Sequence, residues 1–331
     1  AASDVYKRQD LGCHNFRDDV VRPDAVTRAL ALLILGVLLT ACTDAPRSTP
    51  TASTNTRIVT LAPNLTELVY AVGAGDALVG VSAWSDYPQA AGELPVIGDA
   101  FTVDQELLAL LDPDLLLVWE SGTPAHTIEE LENRGFDVAV IRTRGLADIA
   151  AAMRQIGMLT GQQQAAAVAA DQFLAELDSL RAAHQDAEPI DVFYQVSARP
   201  LYTINNEHYV SELIALCGGN NVFNDLTELA PAVTVEAVVE RNPEVMLAST
   251  DAGEDGFVEW QRWPRIAANL YGNQFLLPAD ELARATPRLV AAGGAMCLAL
   301  QQARFNRAVF RGARSTDPTA ADDPRELPDP N

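Results

Sequence analysis

Lysine is nearly absent from this chain of 331 residues: among 23 basic residues only Lys7 is one, and every later cation is arginine. That is a compositional bias, of a genome or of a saline habitat, and carries no functional meaning by itself. Positive charge is scarce altogether, since 45 acids leave a formal net charge of -22, a field that repels phosphate backbones and argues against a nucleic-acid partner. Histidine is scarce too, with four in the chain; His126, His184 and His208 are scattered and read as surface residues. They are too dispersed for a triad or a metal cluster, and no CxxC pair is present, so no metal site is expected. Gly80-Val81-Ser82-Ala83-Trp84 lacks the second glycine of a nucleophile elbow. Gly73-Ala74-Gly75 does not continue into GxGxxG, and GxxxxGK[ST] is missing. Nothing therefore points to catalysis. What remains is a 48% hydrophobic chain long enough for roughly two domains with real cores.

Long apolar runs are also lacking. The longest, Ala29–Thr40, follows Arg22 and Arg28 and is too short to span a bilayer at about a dozen residues, but it fits a signal-peptide core. It leads into Leu39-Thr40-Ala41-Cys42, which resembles the lipobox of bacterial lipoproteins and marks Cys42 for lipidation. Residues 1–22 are read as an artefact, because the opening AASDVYKRQ resembles a translated sequencing adapter; residues 23–41 are the signal peptide. Residues 42–56, rich in Thr, Ser, Pro and Ala, form a lipidated tether that anchors the protein to a membrane without crossing it. Removing residues 1–41 takes away as many bases as acids, so the net charge of -22 belongs to the mature chain. Of the cysteines, Cys217 and Cys297 remain; in an exported protein such a pair is most simply a disulfide, with two buried free thiols as the alternative.

Two internal echoes set the architecture. Val103–Leu117 aligns without gaps on Val233–Leu247, each a short helix with Glu106 or Glu236 in its first turn, a proline stop, then a buried strand. Thr66-Glu67-Leu68 followed by Gly73 echoes Ser211-Glu212-Leu213 followed by Gly218, each a helix closed by glycine. The fold class expected is α/β, with two Rossmann-like lobes at residues 57–145 and 187–303. Residues 146–186, rich in Ala, Leu, Gln and Glu, are read as a long rigid interlobe helix of up to roughly 60 Å, interrupted only at Thr160-Gly161. Residues 304–331 are read as a disordered tail. Aromatics are few, yet Trp84, Tyr87, Trp119 and Tyr202 fall where strands meet loops, the place where open α/β sheets bind ligands. Trp260 and Trp263 stand at helical spacing, and Trp263 is assigned to core.

The blocks RIVTLAPNLTELVYAVGAGDALVGVS, WSDYP, PDLLLVW, ELIALCGGNNVF and RATPRLVAAGGAMCLAL, along Arg57–Gln302, resemble the substrate-binding proteins of ABC importers with a helical backbone between lobes, and within them the cobalamin-binding branch. The resemblance implies a monomer that is no enzyme and needs no cofactor, holds cobalamin or another corrinoid in the interlobe cleft and hands it to a permease dimer, in the periplasm or at the cell surface. It implies a Cys217–Cys297 disulfide, cleft positions at Trp84, Trp119, Tyr202, Asp280 and Arg284, and permease docking by Glu106 and Glu236. Ala100-Phe101 and Ala230 stand where the branch has tryptophans, which implies two flat cleft walls fewer. A ferric siderophore or haem receptor is the alternative within the family; an exported enzyme on the same scaffold is the alternative outside it.

Overall fold

A computed structural model describes residues 56–99, 102–253 and 255–315. The lipidation position Cys42, the signal and tether segments through residue 55, Ala100 and Phe101 lie outside the described residues, as does the end of the tail beyond Ser315.

The first lobe is a four-stranded parallel sheet of β1 (Ile58–Thr60), β2 (Leu78–Val81), β3 (Leu115–Trp119) and β4 (Val138–Ile141) in the order β2-β1-β3-β4. Its crossovers carry α1 (Pro63–Ala71), α2 (Gln105–Leu111) and α3 (Ala125–Asn133). The second lobe contains β5 (Ile190–Gln195), the short antiparallel ribbon β6 (Ser197–Ala198) and β7 (Leu201–Tyr202), then β8 (Gly219–Asn221), β9 (Val245–Ser249) and β10 (Gln274–Leu277). Its parallel sheet has the order β8-β5-β9-β10, strand for strand that of the first lobe.

Between these strands lie α6 (Tyr209–Leu216), α7 (Val235–Arg241) and α8 (Ala267–Tyr271). The helices that carry the echoes coincide in detail. Helices α2 and α7 each end on a left-handed residue, Asp112 at φ 44° and Asn242 at φ 44°. Beyond α1 and α6, Gly73 and Gly218 take φ values of 80° and 75°, the conformation a C-terminal glycine serves.

Both faces of each sheet are covered, which is why PDLLLVW and its echo are continuous apolar runs rather than alternating ones. Leu115 and Leu117 face the largest core, while Leu116 and Val118 face a second one with Val59, Leu108 and Leu131. In β9, Val245 and Leu247 join the largest core, and Met246 and Ala248 pack with Phe193, Phe223 and Trp260. Trp260 is therefore the core tryptophan proper, and Trp263 is half-buried against it, with ring centroids 5.9 Å apart.

The interlobe segment differs from the single spine its composition suggested. It forms two helices, α4 (Leu146–Leu159) and α5 (Gln163–His184), and Gly161 at φ 74° turns one back along the other. Gly157 and Ala166 are in close approach at the turn, and Arg154 Nη2 donates to Asp171 Oδ1 at 2.5 Å further along the pair. Helix α4 buries Ile149, Met153 and Ile156 beside Leu65 and Val69 of α1. Helix α5, 22 residues and so about 33 Å long, presents Ala166, Ala170, Phe173 and Leu177 at helical spacing to the same core.

Residues 304–315, read from composition as part of a disordered tail, are helical. After α9 (Ala279–Ala283), α10 runs from Leu289 to Ser315. Past residue 304 it is held by packing: Phe310 sits 5.1 Å from the Tyr271 ring, and Arg307 donates to the buried carboxylate of Glu244 at 2.9 Å. The disulfide Cys217–Cys297 joins the end of α6 to α10, with Cα atoms 4.8 Å apart.

Candidate functional site

The carboxyl ends of β1 and β2 deliver a loop, Ser82–Pro88, that a chain of buried hydroxyls fastens to the sheet. Thr60 Oγ1 lies 2.6 Å from Thr66 Oγ1, which lies 3.0 Å from Ser85 Oγ, itself 3.2 Å from Ser82 Oγ. With Ser82 and Ser85 buried, the residues around them are pushed outward: Trp84 is 80% exposed and Tyr87 48% exposed. Trp84 takes φ 67°, a left-handed conformation that costs a bulky residue about 1–3 kcal/mol and persists only when its surroundings fix it.

What fixes it comes from the second lobe. Arg284, just past α9, donates from Nη2 to the Trp84 carbonyl at 3.0 Å, and from Nη1 to Asp86 Oδ1 at 2.6 Å and Glu67 Oε1 at 2.8 Å. Asp280 Oδ1 stands 3.8 Å from Nη2. Four residues on, just before α10, Arg288 donates to Glu67 Oε1 at 3.1 Å and Glu281 Oε1 at 2.8 Å, and its guanidinium lies 4.3 Å from the Tyr87 ring centroid.

Glu67 and Arg284 are both buried, whereas Asp86 and Asp280 are largely exposed. Hydrogen bonding from Arg284 holds the Asp86 carboxyl below its ordinary range. Burial would lower the Arg284 guanidinium, but the carboxylates of Asp86 and Glu67 outweigh it and raise it instead. The second oxygen of Glu67, Oε2, is buried without a hydrogen-bond partner.

The glutamate at the equivalent place in the second lobe, Glu212 of α6, also reaches across: its Oε2 accepts from the backbone N–H of Leu146, at the start of α4, at 3.1 Å. Burial raises its carboxyl. Arg144 Nη2 binds Glu120 Oε1 at 2.6 Å, and Nη1 lies 4.0 Å from Glu207 Oε2. Side chains of each lobe thus contact the other on two sides.

Of the residues named from sequence, Trp84, Tyr87, Asp280 and Arg284 meet in this cluster, directly or through Asp86, Glu67 and Arg288. Trp119 ends β3 half-buried, its indole N–H donating to Thr143 Oγ1 at 2.9 Å within the first lobe. Tyr202 is half-buried in β7, opposite Ser197 and bridged to Ala232. Neither contacts the arginine cluster. Ala230 is exposed.

Glu106 and Glu236 are exposed in matching first turns. The capping work there is done by Asp104, which accepts from Glu106 N and Leu107 N, and by Thr234, which accepts from Ala237 N. The two glutamate side chains are in no hydrogen bond or ion pair with the described residues.

His208 departs from the surface position expected of it: half-buried, it caps α6 by accepting from Val210 N at 3.2 Å, and burial lowers its pKa to about 4. No cluster able to hold a metal occurs among the described residues. None of the described helices is long and apolar enough to cross a membrane.

Glu67, Asp86, Glu281 and Arg288 were not singled out as site residues in the sequence. The signal was an acid inside the apolar face of α1, within Leu65-Thr66-Glu67-Leu68-Val69.

Comparison with known proteins places these features in a wider set. Residues 58–286 match the periplasmic binding protein family. A vitamin B12-binding protein of Vibrio parahaemolyticus is 36% identical over 234 residues, covering 70% of this chain and 84% of that protein. The crystal structure of a periplasmic vitamin B12-binding protein of Vibrio cholerae superposes with a TM-score of 0.69 at 35% identity, over 75% of this chain and 98% of that one. A periplasmic haem-binding protein of Roseiflexus sp. RS-1 shares the fold, with a TM-score of 0.67 at 24% identity over 75% of this chain and 98% of that one. Twin parallel lobes, a helical connection between them and an interlobe cluster at the strand ends accompany a match over most of the chain, and the protein belongs to the periplasmic binding protein family.

Proposed function

We propose that this periplasmic binding protein captures cobalamin or a related corrinoid between its lobes and delivers it to the permease of an ABC importer. The observation that carries the reading is the identity of 35–36% with proteins named for vitamin B12 binding, along 84% and 98% of their lengths, against 24% for a haem-binding neighbour. The site supports it chemically. A corrin is a broad, largely apolar disc fringed with amides, and the exposed Trp84 and Tyr87 offer flat apolar surface braced from behind. Trp119 and Tyr202 would extend that surface, and Asp280 and Arg284 would meet peripheral amides. The chain is a binding protein and not an enzyme, and the corrinoid is its cargo rather than a cofactor.

Glu106 and Glu236 would dock the two lobes onto a two-fold symmetric permease, since such a partner needs one anion on each lobe. Lipidation of Cys42 would tether a monomer to the membrane through residues 42–56. Little hinge motion would accompany binding, because α4 packs on the first lobe and α5 on α4 and the second lobe in one core.

Titrating the purified protein with cyanocobalamin, cobinamide, haem and a ferric siderophore, followed by tryptophan fluorescence, tests the reading. Saturable quenching by a corrinoid is expected; no corrinoid binding at hundred-micromolar ligand overturns it.

A further inference from the structure

Arginines at a ligand cleft ordinarily attract anions. Here the two at the cleft are already spoken for. Arg284 spends Nη1 on Glu67 and Asp86 and Nη2 on the Trp84 carbonyl, with Asp280 close by. Arg288 spends its two terminal nitrogens on Glu67 and Glu281. Two guanidiniums therefore face four carboxylates, and the local balance is negative.

The two anions nearest Arg284 differ in their role. Glu67 lies behind it, with 3% of its side chain exposed, out of reach of an arriving group. Asp86 lies in front, with 66% of its side chain exposed, where an arriving group must pass. A ligand carboxylate at the corrin rim would have to expel Asp86 from a 2.6 Å ion pair and then stand beside Asp280 and Asp86 as a third anion. A neutral amide faces no such conflict: its N–H groups suit the carboxylates, and its body rests on the indole and phenol.

We propose that Glu67 and Asp86 are specificity residues that neutralise Arg284, so that the cleft accepts amide-fringed, uncharged corrinoids and rejects anionic ones, including corrinoids with a free carboxylate and anionic chelates. The proposal rests on the corrinoid reading and adds the charge rule to it. Glu67 acts through Arg284 and is a positioning residue; Asp86 meets the incoming ligand.

The test compares cyanocobalamin with its three isomeric monocarboxylic acids, in which one peripheral propionamide has become a carboxylate with almost no change in shape. The wild-type protein should bind at least one isomer roughly tenfold more weakly than the parent, because like charges brought together at an interface are strongly unfavourable. Asp86→Asn should narrow that gap by roughly threefold, as suits an exposed charge, and Glu67→Gln by more. Raising the salt should narrow it in the wild type. Thermal melts monitor folding, and Asp86→Asn, at an exposed side chain, carries the test if Glu67→Gln does not fold. Equal affinity for all four ligands, or a gap that Asp86→Asn leaves unchanged, overturns the charge rule while the corrinoid reading stands. Failure of the wild type to bind cyanocobalamin overturns both.

Discussion

Glu67 and Arg284 are 217 positions apart in the chain and 2.8 Å apart in the fold, one in each lobe and both buried. Glu67 Oε1 also serves Arg288, so one carboxylate oxygen holds two guanidiniums of the opposite lobe. Removing it leaves Arg284 with Asp86 and Arg288 with Glu281 as their remaining carboxylates. Glu67→Ala should therefore lower the unfolding free energy by about 1–3 kcal/mol, the cost of losing a charged hydrogen-bond partner at a buried site. Replacing both residues, Glu67→Ala with Arg284→Met, should cost less than the sum of the single changes. Urea unfolding of the four proteins in this cycle measures the coupling, and strict additivity would show the pair to be incidental.

His208 supplies a pH dependence of known sign. Its folded pKa is about 4, below the ordinary 6.5, so the folded state resists a proton that the unfolded chain accepts. Stability from this residue is complete above pH 6.5 and is lost as pH falls toward 4, by about 3 kcal/mol in all. Glu212, whose carboxyl is raised by burial, pulls the other way, so the difference between wild type and variant is the useful quantity. His208→Asn keeps a side chain able to cap α6 and cannot ionise. Its chemical-denaturation midpoint should decline less than that of the wild type between pH 6.5 and 4.5, and parallel declines would remove His208 as the cause.

The repeat made much of the fold legible. Gln105–Leu111 and Val235–Arg241 are helices of equal length, and the strands after them also correspond, because local apolar pattern, cap and proline stop agree in both copies. Of the aromatics at strand ends, Trp84 and Tyr87 stand beside Arg284 and Arg288, while Trp119 and Tyr202 stand apart. Thr160-Gly161 marks the break in the interlobe segment, but helical composition says nothing about which helix packs on which, so the return of α5 along α4 is not legible there. Residues 304–315 are held in a helix by tertiary contacts, Phe310 on Tyr271 and Arg307 on Glu244, that no local pattern displays. Glu67 and Asp86 were hidden from Arg284 by distance along the chain. Only the oddness of a glutamate among apolar neighbours pointed to Glu67.

The Cys217–Cys297 disulfide closes a span of 80 residues that includes β8, α7, β9 and β10, most of the second sheet. On the chain-entropy account its loss should cost about 4 kcal/mol, chiefly by freeing the unfolded chain. Cys217→Ala with Cys297→Ala should show that loss in urea unfolding yet bind cyanocobalamin within about twofold of wild type, since both sulfurs are buried away from the Arg284 cluster. Non-reducing peptide mass mapping of the oxidised wild type should recover the two cysteines as one linked pair. Free thiols at both positions would contradict the bond.

Glu106 and Glu236 are separable from ligand capture because nothing in the fold depends on their carboxylates. Asp104 and Thr234 already cap the helices on which they sit, and both glutamates are solvent-exposed. Loss of either should cost the helix only its dipole interaction, about 0.3–1 kcal/mol. Glu106→Arg with Glu236→Arg should therefore leave the melting temperature and the corrinoid affinity close to wild type while abolishing corrinoid uptake in cells or permease-stimulated transport in vesicles. Each single change should weaken transport without eliminating it, since a two-fold partner retains the contact made by the unchanged lobe. A double variant that transports normally would assign docking to other surfaces. One that loses ligand affinity instead would show that these side chains serve the cleft.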